Sequence, residues 1–211
     1  MTWDRGRLAG IALLIGGLLT VAGYAAVNVL LGADEAHFTN PNFVPLYMIA
    51  LAGDLLTVIG LPAILLAHGG RASKLTTIGY VGVLLAIVML NIGEGTTEAF
   101  VKPYLLTHGG LPAEGPAGFE AFIGVALLAL VIGLISLGVA VIRARVFPIW
   151  VGALLLLSLP LSVVQLPGLL AEAGDYLGFF AFALMGWSVA FGSGRRRETP
   201  ISVPIPSAGA A

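Results

Sequence analysis

Asp54, Asn91, Glu94 and Glu98 are the residues of this chain whose types could do chemistry inside an apolar body. A carboxylate can take up and release a proton or balance a cation. Asn91, Glu94 and Glu98 recur at steps of three and four, so one helix face carries all three if the helix survives Gly93 and Gly95. Asp54 sits about nine residues inside its own apolar stretch, roughly 13 Å at helical rise. An aspartate near a membrane centre costs about 2.5–3.5 kcal/mol on insertion scales, so it faces the bundle or a wet cavity. Function and an interhelical hydrogen bond weigh evenly for it. Glu98 reads as a solvated helix end, and Glu94, a turn deeper, is balanced between a cavity lining and a solvated edge. Asn91 is deep enough to need a partner, and by depth Asp54 is the first candidate. Asn28 and Gln165 read as interhelical hydrogen-bond formers, at about 0.6 kcal/mol each.

The elements that must position these residues are written in the composition. The chain has 211 residues, 58% of them hydrophobic and only 10% charged. A soluble domain carries about 25% charged residues, so this chain lacks the side chains to cover a water-facing surface. The expectation is an all-α, polytopic membrane protein, a six-transmembrane-helix bundle. Its spans fall at about 8–31, 45–67, 75–98, 119–142, 148–167 and 176–191. The first is longer than a signal-peptide core and reads as retained. Pro45 suits the first turn of the second span, Pro62 should interrupt it, and Pro103 should end any extension of the third. Residues 103–118 form the longest loop, and 194–211 read as a disordered, basic cytoplasmic tail. His68 reads as a loop residue on the cytoplasmic side. The glycines Gly16, Gly17, Gly23, Gly79, Gly82, Gly133 and Gly138 read as close helix packing.

Orientation follows from counting cations. The first end, the two loops at 68–74 and 143–147, and the tail hold nine Lys or Arg; the three opposite loops hold one, Lys102. That asymmetry places both termini in the cytoplasm, with the acidic residues outward. Pro-interrupted second and fifth spans, with Pro45 and Pro62 against Pro148 and Pro160, leave room for a 3+3 inverted repeat.

No Walker A, G-x-S-x-G or G-x-G-x-x-G motif is present, and the serines of the spans have no nearby His, which points away from an enzyme. His37 and His108 lack the tight spacing of a metal site, so no metal and no cofactor is expected. Without Cys there is no thiolate chemistry. Nothing points to nucleic acid. Arginine outnumbers lysine eight to two, in keeping with a bacterial, GC-rich genome.

The stretch VFPIWVGALLLLSLPL at 146–161, with a basic turn before it, and EAFVKPYL at 98–105 resemble small uncharacterised six-span integral membrane proteins of actinobacterial type. The resemblance implies the six-span layout and no activity for any residue; the favoured reading is a bacterial plasma-membrane protein. Two functions remain open. One is small-solute or cation and proton handling through an outward acidic pocket. The other is a non-catalytic scaffold or partner subunit packed on another membrane protein, with the lipid bilayer a partner in both. A membrane enzyme using outer carboxylates is a weaker third.

Overall fold

The computed structural model describes residues 5–32, 35–112, 116–163 and 172–192. The described residues are helical throughout, with short connections and no strand. Helix α1 is Arg5–Leu31, α2 Phe43–Gly60, α3 Pro62–His68, α4 Lys74–Ala86, α5 Lys102–Thr107, α6 Phe119–Ala144, α7 Ile149–Val163 and α8 Ala173–Phe191. Five rods are long and apolar enough to cross a membrane: Arg5–Leu31, Phe43–Arg71, Lys74–Thr107, Phe119–Ala144 and Ala173–Phe191. A sixth apolar helix, Ile149–Ser162, is shorter. Large apolar side chains such as Leu30, Ile59, Leu66, Val125, Leu128 and Trp187 are exposed along the rods. An outer surface of that kind is compatible with lipid contact.

Several boundaries follow from single residues. Pro45 lies in the first turn of α2, where a missing N–H costs nothing. Pro62 does interrupt the second rod: α2 ends at Gly60 and α3 restarts at the proline. Ser73 opens α4 through a capping box, its hydroxyl accepting from the Thr76 N–H while the Thr76 hydroxyl accepts from the Ser73 N–H.

Three expectations are corrected. Pro103 does not end the third rod, which continues to Thr107. Beyond α4 this rod is π-helical over Ile87–Glu94 and again over Thr97–Val101, before α5 begins. The Lys102 N–H reaches back five residues to the Thr97 carbonyl, and Pro103 follows in the first turn of α5. The proline therefore falls where the bonding step changes from five residues to four, and its lost amide is absorbed at the register change. The loop expected at 103–118 shortens accordingly.

His68 is not a loop residue either. It ends α3, is buried, bonds the Ile64 carbonyl through Nδ1 at 2.8 Å and packs on Phe147 with ring centroids 5.7 Å apart. Gly69, with φ +47°, turns the chain only after it. The proposed tail at 194–211 and the end of the fifth span with Gln165 lie outside the described residues.

The inverted repeat is the third correction. Neighbouring rods pack in chain order around a ring: α1 on α2, α4 on α6, α6 on α7, α7 on α8, and α8 back on α1. The ring closes where α2 and α3 meet the π segments and α4. A two-fold axis in the membrane plane would reverse the sense of that order, so it cannot carry each rod onto the one three places later.

Glycine sets the ring's spacing. A Cβ at Gly60 would stand 2.2 Å from the Leu13 backbone N, and one at Gly53 2.3 Å from the Thr20 backbone N. Gly16 and Gly23 on α1 meet α2 the same way. Gly17 meets α8, Gly79, Gly82 and Gly133 seat α4 on α6, and Gly138 meets α7. All seven glycines singled out in the sequence are therefore close-packing positions. The main apolar core, with Leu13, Leu61, Ile64, Leu137, Val151 and Met185, fills the half of the ring that carries Arg71 and Arg143 at its end. A smaller cluster of Val27, Phe38, Phe43, Tyr47, Leu51 and Ala99 lies toward the other end.

Candidate functional site

Above the main core, toward that second end, the ring encloses a cavity of about 410 Å³. Every rod contributes to its wall. The third rod supplies Asn91, Glu94, Gly95 and Glu98, so the face expected from their spacing survives the change from α to π geometry. In a π segment the side chains advance differently around the axis than in an α-helix, and the three still reach one cavity. Helix α1 adds Tyr24, α2 adds Tyr47, and α7 adds Ser158 and Ser162. The start of α8 adds Glu172 and Asp175. Leu127, Leu130, Leu134, Phe179 and Phe182 add apolar lining.

Asp54 stands behind this cavity. It is fully buried on α2 and is not among the lining residues. Its Oδ1 accepts from the Thr20 hydroxyl at 3.0 Å, and its Oδ2 from the Tyr24 hydroxyl at 3.4 Å. Both donors lie on α1, four residues apart, so the carboxylate bridges the pair of rods that the glycines bring closest. The expected pairing of Asp54 with Asn91 is corrected: Tyr24 stands between them, lining the cavity with its ring and capping the aspartate with its hydroxyl. The ring of Tyr24 is in turn held edge-on against Tyr47, centroids 5.5 Å apart at 86°.

Asn28 bonds across helices as expected, its Nδ2 donating to the Tyr176 hydroxyl on α8 at 3.0 Å. Thr20, Tyr24 and Asn28 thus form a polar stripe at steps of four along α1. The stripe was readable beforehand, at the depth of Asp54, but only Asn28 stood out because a hydroxyl in an apolar run is cheap and common. Glu172 and Asp175 fall between the spans expected at 148–167 and 176–191. Asp175 is instead in the first turn of α8, where the helix N-terminus favours a negative charge, with the Ser162 hydroxyl 3.2 Å away.

Lys102, the first residue of α5, is held off the cavity. Its Nζ lies 3.8 Å from Glu98 Oε1 and 3.8 Å from the centroid of the Phe38 ring. His37 packs between Phe38 and Phe43, and His108 stacks on Tyr104 at 4.2 Å. Neither lines the cavity with the glutamates. Among the described residues no three His, Asp or Glu converge with the spacing of a metal site.

Comparison with protein-family models, curated proteins and solved structures finds no match.

Proposed function

We propose that this chain is a six-span protein of a bacterial plasma membrane, with both termini cytoplasmic, that handles a small solute or cation, protons included, through the acidic cavity. The observation that carries this reading is the meeting of Glu94 and Asn91 with Glu98, Glu172 and Asp175 around one cavity among apolar rods. Carboxylates inside a membrane bundle are expensive to keep and mark pathways for ions, protons or substrates. The nine-to-one distribution of Lys and Arg supports an outward acidic end. The shorter apolar helix α7 is read as the fifth span.

A second reading, a non-catalytic scaffold for another membrane protein, is favoured by one observation. Asp54, the deepest carboxylate, is engaged by Thr20 and Tyr24 as an interhelical bridge. In the first reading Asp54 holds Tyr24 in the cavity wall, and Glu94 takes the exchanging role.

Vesicles reconstituted with the protein and loaded with a pH-sensitive dye test the first reading. Gradients of Na⁺, K⁺ and a panel of organic ammonium ions should drive a proton or dye-reported flux that Glu94→Gln reduces at least tenfold. Flux equal to that of protein-free vesicles across the whole panel removes solute handling and leaves the scaffold.

A further inference from the structure

The cavity is lined by two kinds of side chain, and together they define a ligand. One set is acidic and aromatic: Glu94, Glu98, Glu172 and Asp175 with Tyr24 and Tyr47. The other is apolar and includes Leu127, Leu130 and Leu134 of α6 and Phe179 and Phe182 of α8. Among the described residues no Lys or Arg lines the space, and Lys102 is drawn away between Glu98 and Phe38. At about 410 Å³ the cavity has the size of a small-molecule site, far larger than an ion requires. A bare divalent cation needs several oxygens converging at about 2.0–2.6 Å, and no such convergence of three acidic or His side chains exists among the described residues. A positive charge spread over an organic group asks for less. Carboxylates at longer range balance it, and tyrosine faces attract it. An apolar body laid against these leucines and phenylalanines removes apolar surface from water on both sides.

We infer that the cavity binds amphipathic organic cations, with an ammonium head beside the carboxylates of Glu94, Glu172 and Asp175 and an apolar body against the leucines of α6 and Phe179 and Phe182 of α8. This deepens the proposed function and rests on it for the identity of the site.

The test is calorimetric titration of the full chain in lipid nanodiscs, with protein-free nanodiscs subtracted. The probes are hexyltrimethylammonium, tetramethylammonium and hexyl sulfate. Hexyltrimethylammonium should bind at least tenfold tighter than tetramethylammonium, and hexyl sulfate should show no saturable binding. Glu94→Gln and, separately, Glu172→Gln should each weaken the hexyl probe at least fivefold while the protein keeps its unfolding temperature. Leu130→Gln should weaken the hexyl probe and leave tetramethylammonium unchanged. Equal binding of the sulfate, or equal affinity for the two ammonium ions, overturns the inference. So does binding untouched by both glutamine variants. Flux driven by Na⁺ or K⁺ with no ammonium binding overturns it too, and leaves solute handling standing; absence of both flux and binding removes the two together.

Discussion

The α1–α2 pair and the second half of the third rod are both apolar helix punctuated by glycine, yet they are built in opposite ways. Along α1 and α2, glycines at steps of seven, Gly16 and Gly23 against Gly53 and Gly60, bring the two backbones into direct contact. Nothing but hydrogen fits between them, and the one carboxylate present, Asp54, is sealed by two hydroxyls. On the third rod Gly93 and Gly95 meet only side-chain tips or the rod's own carbonyl. Gly95 faces the Tyr47 hydroxyl, where a Cβ would stand 3.1 Å away. There the helix widens to π geometry and the carboxylates face open space. The contrast teaches that a glycine in a membrane helix has no fixed meaning. Backbone contact makes it a lock, and its absence leaves room for a site.

Substitution can break that comparison at either end. Gly60→Ala should have the largest effect, because its Cβ would collide with the Leu13 backbone rather than with a side chain that can turn away. A loss of about 3 kcal/mol or more is expected, near the top of the range for overpacking, read as a lowered unfolding temperature in detergent. Asp54→Leu comes next. It leaves the Thr20 and Tyr24 hydroxyls without their acceptor, at about 1–3 kcal/mol, whereas Asp54→Asn keeps one acceptor and should lose only about 0.6 kcal/mol. Equal stability of the leucine and asparagine variants would show that the bridge contributes nothing. Gly95→Ala should cost under about 1 kcal/mol, since the Tyr47 ring tip and a Leu51 methyl can give way. If it proves as damaging as Gly60→Ala, the lock-and-site distinction fails. Glu94→Gln should be the mildest for stability, within about 0.5 kcal/mol, while removing the cavity-dependent flux. A large stability loss there, with flux intact, would make Glu94 a structural group instead.

Much of this was legible beforehand, for identifiable reasons. Pro62 announced its interruption because a proline's missing N–H acts within one turn, whatever surrounds it. Asn91, Glu94 and Glu98 were found together because their spacing is itself a geometric statement. Pro103 misled, because the effect of a proline depends on the bonding step around it, and nothing local signalled the shift from four residues to five. His68 misled for a different reason: a histidine beside two glycines looks like a loop until Phe147, far along the chain, is found packed on it.

The sequence by itself determined the helical, lipid-compatible character of the rods and the gathering of acidic groups toward one end. Those follow from composition and from periodicity, which each helix carries alone. Only the tertiary structure decided that Asp54 belongs to a helix seam and that Glu172 and Asp175 belong to the cavity. It also decided that Tyr24 divides the two. Those facts depend on which rod lies beside which, and on separations of a few ångströms set by glycine contacts between segments distant in the chain.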